Sequence, residues 1–181
     1  LHGIWGAGRE AAGVLSLGVA DAGATLAWHR VTEHHYGMVL VAGVLQSAVA
    51  LRRAAQYGVA GIIAGSLHPD LRQACRDAPF PVVITEGMGR IPMTAPAFAL
   101  LQQYHGSRVM MAGDSRLTAS GPELIIPGPV GSQSASLATV QTPGVGSLVR
   151  LTGFAHMGAV GEIVSLPQDP QFSAAGESIR G

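Results

Sequence analysis

Between Met38 and Ala112 four short apolar runs alternate with three amphipathic stretches. The runs are MVLVAG (38–43), AGIIAGS (60–66), FPVVITE (80–86) and RVMMAG (108–113). Continuous Val/Ile/Leu runs suit strands buried on both faces, and their alternation with amphipathic segments is the signature of parallel βαβ units. The pattern predicts an α/β fold with a mostly parallel sheet. Strands 38–43, 60–66, 80–86 and 108–112 are expected to be mutually parallel, with helices 46–57, 69–77 and 95–105 on the sheet faces. Local signals agree. Gly58 suits the residue after a helix, and Pro69 suits a first helical position. Asp70 and Arg76 complement the two helix ends, Thr94 is placed to cap the third helix, and Gly106 to stop it.

The flanks read differently. Residues 1–37 form a β-rich segment. Leu15, Leu17 and Val19 alternate with Ser16 and Gly18, predicting a strand over Gly13–Val19. Trp5 and Trp28 are expected to anchor its packing. After the α/β core (38–127), ELIIP (123–127) reads as one more strand, held to an edge by its prolines. Residues 128–145 are a Gly/Ser/Thr/Pro-rich linker. In 146–181 two short β patterns, Leu148–Thr152 and Gly161–Leu166, flank a loop and predict an antiparallel hairpin detached from the main sheet.

Composition narrows the class. With 181 residues and 48% hydrophobic content the chain can bury a real core. No stretch approaches the ~20 apolar residues that span a bilayer. A start without Met predicts a processed or truncated chain. The 11 basic residues are all Arg and balance 11 acidic ones, and Lys and Asn are absent. That bias fits a GC-rich genome, and neutrality argues against binding dominated by nucleic-acid phosphates. One cysteine, Cys75, excludes an internal disulfide and a cysteine metal cluster, and points to the cytoplasm.

Candidate chemistry gathers at TEGMGRIPM (85–93), between a strand and a helix, where open α/β sheets bind ligands. Gly87 and Gly89 would bring backbone N–H groups to an anion, with Glu86 and Arg90 as charged partners. Ser66 ends one apolar run and Asp114 follows another, where capping or a turn with Ser115 is the ordinary role; both join the candidate ligand set: Ser66, Glu86, Gly87, Gly89, Arg90 and Asp114. The bland alternative is a tight turn in which Glu86 and Arg90 pair with each other. No complete GxGxxG or P-loop is present. Ser66 and His68 lack the GxSxG context of a nucleophile and read as helix-capping residues. His29, Glu33, His34 and His35 lack an HExxH order and read as a solvated turn. Catalytic residues, metal ligands and cofactors are therefore all assigned as none.

GSLVRLTGFAHMGAVGEIVSLP (146–167), with Gly153, Gly158 and Gly161 in and beside its loop, resembles the KOW motif of NusG-type elongation factors and some ribosomal proteins. The resemblance implies an SH3-like barrel, here incomplete, that contacts RNA or protein. Met157 stands where a basic residue is common. The segments Gly61–Ser66, Val83–Met93 and 146–166 together resemble a bacterial family in which an α/β core precedes a KOW-like module, without an established activity. The combined reading is a non-catalytic structural or protein-interaction protein, its partner a protein or a second copy. The alternatives are a small-molecule site or enzyme at the strand ends, and nucleic-acid binding through the KOW-like loop.

Overall fold

A computed structural model describes residues 1–113, 121–127, 143–151, 159–166, 171–172 and 178–179. The chain divides into a unit of Leu1–Pro129 and a unit of Val130–Gly181.

In the first unit three apolar runs become strands buried almost throughout: β3 (Met38–Leu45), β4 (Gly61–Leu67) and β5 (Val82–Met88). They pair in parallel, β3 with β4 and β4 with β5. Helix α1 (Ala48–Gln56) and the short α2 (Arg72–Arg76) provide the crossovers. Ser47 caps α1, its Oγ accepting from the Ala50 N–H at 3.2 Å, and Ala50, Leu51 and Ala54 form its buried stripe. The second helical segment opens as a 3-10 turn over Pro69–Leu71 before α2 begins. Helix α3 (Ala95–Gln103) buries Ala97, Phe98 and Leu101.

The expected strand at 13–19 forms as β2 (Glu10–Leu17) and lies parallel to β3. Residues 1–37 thus contribute a central strand to the same sheet. The expectation for 108–112 is corrected. This run forms β6 (Arg108–Ala112), but it pairs antiparallel with β2, on the far side of the sheet from β5. Its burial explains why: Arg108 and Met110 are exposed while Val109 and Met111 are buried. Such alternation belongs to a strand with one wet face, as antiparallel strands have. The free edge of β5 is taken instead by β1 (Trp5–Ala7), running antiparallel. Strand β7 (Glu123–Ile125) pairs antiparallel with β6, completing the order β1-β5-β4-β3-β2-β6-β7.

The two ends of this order meet. The Gly3 N–H donates to the Pro122 carbonyl at 2.7 Å, the Leu124 N–H donates to the Leu1 carbonyl at 2.8 Å, and His2 bridges Glu123. Residues 1–7 therefore pair with β7 through their first half and with β5 through their second, and the seven strands close on themselves. Closure removes the exposed ladder groups of an edge strand. Of the two tryptophans, Trp5 is buried, with the Arg72 guanidinium 5.9 Å from its ring. Trp28 is not a core anchor. It is half exposed, with Arg53 stacked 5.4 Å from its ring.

Cys75 on α2 is fully buried, and that burial pushes its thiol up to about 12. The folded state then holds the proton more tightly than the unfolded chain. This group's contribution to stability is complete below the unfolded value, near 9, and declines as pH rises from there towards 12. A thiol reagent at pH 8 is expected to label Cys75 only through unfolding, because thiolate is the reactive form. Rapid labelling of the folded protein, followed by absorbance, would contradict this.

In the second unit β8 (Leu148–Arg150) and β9 (Val160–Glu162) form an antiparallel hairpin. The Ile163 N–H extends its ladder by donating to the Ser147 carbonyl at 3.0 Å. A second short pair, β10 (Gln171–Phe172) and β11 (Ser178–Ile179), is also antiparallel. The FAHMG loop and linker residues 128–142 lie outside the described residues.

Candidate functional site

The C-terminal ends of the parallel strands bring most of the candidate residues together. Ser66 on β4 lies in register with Gly87 on β5, and Leu67 with Met88. Glu86 precedes Gly87, and Gly89 and Arg90 follow the strand. Asp114 lies outside the described residues. Gly87 and Gly89 have φ of 149° and 111°, a backbone region open to glycine and strained for other residues. Gly87 adjoins the shift in the β4–β5 register between Ala64 and Ser66, and Gly89 follows the end of β5, from which residues 89–94 cross back over the strand ends as a strap.

The polar side chains beneath fasten that strap. Ser66, fully buried, accepts from the Ile91 N–H at 2.9 Å. Glu86, 3% exposed, accepts through Oε1 from the Thr94 N–H at 3.1 Å and from the Thr85 hydroxyl at 3.3 Å. Met93 is buried, and its N–H donates to the Ala22 carbonyl at 2.9 Å. The Gly89 N–H, a candidate anion donor, is used on the Leu67 carbonyl at 2.8 Å. Glu86 and Arg90 do not pair with each other, so the tight-turn alternative fails in its detail; Arg90 is exposed. Thr94 occupies the cap position of α3, but its hydroxyl caps nothing. Its backbone N–H on Glu86 does the fastening.

Small residues make room for this cover. A Cβ on Gly65 would strike the Met93 backbone nitrogen, and would meet Met93 Cα and the Gly43 carbonyl oxygen at 2.7 Å each. A Cβ on Gly43 would meet the Ala22 carbonyl carbon and the Ala24 carbonyl oxygen, also at 2.7 Å. Residues 22–26 run along the end of β3, where the Val44 N–H donates to the Ala24 carbonyl and Thr25 bridges Val44. The space beyond β3 and β4 is therefore occupied by backbone of the chain itself. Chemically, the arrangement holds a loop with a buried carboxylate and a buried hydroxyl.

The other sequence candidates are local. The His35 Nδ1 accepts from the Thr32 N–H at 3.1 Å and closes a 3-10 turn, while His29, Glu33 and His34 face solvent. The His68 Nδ1 accepts from the Asp70 N–H at 3.4 Å at the start of the next turn. Among the described residues no three His, Cys, Asp or Glu side chains converge on a metal position. No helix there is long and apolar enough to cross a membrane.

Reading the sequence for catalytic motifs missed a different feature, the outward face of β2, β6 and β7. Ala12, Met110 and Ile125 lie in register across these strands, and all three are exposed. The signal was the alternation in Arg108-Val109-Met110-Met111. Two adjacent methionines hid it, because hydropathy alone scores both as core.

No protein-family model matches the chain, and no curated protein matches it. Among solved structures it is similar to the RNA-processing inhibitor RraA from Thermus thermophilis, at 15% identity over 73% of this chain and 85% of that one, with a TM-score of 0.36.

Proposed function

We propose that this is a non-catalytic cytoplasmic interaction protein whose KOW-like C-terminal hairpin engages a protein partner. The observation that carries the reading is the exposure of apolar side chains along that hairpin. Leu148 is 76% exposed and Val164 84%, and Val160 and Leu166 are also exposed. Leu148 and Val160 are diagonal neighbours on one face, because Leu148 opposes Glu162 and Val160 opposes Arg150. Two isolated strands bury too little to be stable alone, and exposed apolar patches mark interaction sites. The internal use of Ser66 and Glu86 supports the same reading, since it ties up the polar groups that ligand chemistry would need.

A photo-crosslinking residue at Leu148 is expected to capture a discrete protein partner in the source cell. Leu148→Asp and Val164→Asp should each weaken that capture roughly tenfold or more, with thermal stability unchanged. Crosslinks to RNA in place of protein would favour the nucleic-acid alternative and overturn this reading.

A further inference from the structure

The outward face of β2, β6 and β7 carries a charge order as well as an apolar row. Strand alternation places Glu10, Ala12 and Val14 of β2 on one face, with Arg108, Met110 and Ala112 of β6 and Glu123 and Ile125 of β7. The register sets them in three successive rows. One end row holds Glu10 and Glu123 on either side of Ala112. The middle row is Ala12, Met110 and Ile125. The other end row is headed by Arg108, opposite Val14. Met110 is 51% exposed and Ile125 47%. Met110 stands between two hollows, one of about 450 Å³ on the Arg108 side and one of about 80 Å³ on the Glu10 and Glu123 side. Arg108 and Glu10 make no ion pair among the described residues, whereas Glu123 has His2 Nδ1 3.8 Å away.

We propose that a second copy of this chain covers this face in a two-fold dimer. Two copies meeting face to face are related by an axis lying in the interface plane. An axis along the strands would set Arg108 against Arg108 and is rejected by like charge. An axis across the strands, along the Ala12–Met110–Ile125 row, inverts the charge order. It lays each apolar row on its counterpart and lands each Arg108 between the partner's Glu10 and Glu123. Charge thus selects one of the two arrangements. The zero net charge of the chain leaves no long-range repulsion between copies. Methionine at the centre can adapt its three rotatable bonds to its symmetry mate. None of the residues of this face belongs to the C-terminal hairpin.

Sedimentation equilibrium of the full chain over a range of concentrations tests this. The wild type should show twice the 18.5 kDa chain mass at high concentration. Met110→Glu should raise the dissociation constant roughly a hundredfold, since it buries a charge at the interface centre. Arg108→Glu and Glu10→Arg should each raise it about tenfold, because every exposed pair occurs twice. The double variant should recover most of that loss. Within one chain the two charges lie four residues apart along the strands, roughly 14 Å, so recovery reports a contact between chains. Melting curves establish that each variant is folded, as expected for exposed positions. A wild type that stays monomeric at every concentration overturns the proposal. So does a dimer that ignores Met110→Glu, one that breaks only with Leu148→Asp, or a double variant no better than the single ones.

Discussion

Gly65→Ala is expected to destabilise the protein by about 3 kcal/mol, and Gly65→Val to prevent folding. A single methyl group at this position has nowhere to go. Its neighbours are backbone atoms, Met93 N and Cα from the strap and the Gly43 carbonyl from β3, and these cannot rotate away as side chains can. Relief requires lifting residues 91–93 off the strand ends. That breaks the bond between the Met93 N–H and the Ala22 carbonyl and strains the one between the Ile91 N–H and Ser66. Urea denaturation should show a lower midpoint at an unchanged slope, the mark of altered stability rather than altered denatured-state compactness. Gly23→Ala is the control. It lies in the adjacent loop, and an added Cβ there finds its nearest atoms at 3.7 Å, ordinary contact distance. Its expected cost is near zero. Equal midpoints for the two variants would mean that the strap does not lie on β4.

Glu86→Ala should cost about 3 kcal/mol, because it removes a charged acceptor and leaves the Thr94 N–H without its partner at the start of α3. Glu86→Gln retains one acceptor oxygen and should cost about half as much. Ser66→Ala, which releases only the Ile91 N–H, should cost about 1 kcal/mol. Both side chains hold the same strap, so the loss in the double variant should fall short of the sum of the single losses. Hydrogen exchange provides a local readout. The amides of Ile91, Met93 and Thr94 should exchange faster in Glu86→Ala before those of β3 and β4 change. If the variant instead keeps wild-type stability and loses binding to a small anion, Glu86 belongs to a ligand site and the fastening role is wrong.

Much of the secondary structure was legible in the residues. Runs such as Val39–Leu45 and Ile62–Leu67 are apolar at nearly every position, which only a strand covered on both faces tolerates. The C-terminal end of α1 was equally readable, because Gly58 acts on a backbone group three residues away. The direction of β6 was not. Its alternation was blurred by Met110 beside Met111, and its partner β2 lies almost a hundred residues earlier. Closure of the strands through Leu1–Gly3 and Pro122–Leu124 was invisible for a related reason. It is made of backbone hydrogen bonds that any residues can form, so no side-chain pattern announces it. The candidate site shows the division most clearly. Sequence alone placed Ser66, Glu86, Gly87 and Gly89 at the ends of neighbouring strands, because β-α-β order dictates where strand ends fall. Whether a carboxylate there meets a ligand or an amide of its own chain depends on which segment returns across it. Tertiary packing decided that in favour of residues 89–94, since Gly65 leaves a trough just deep enough for the Met93 backbone.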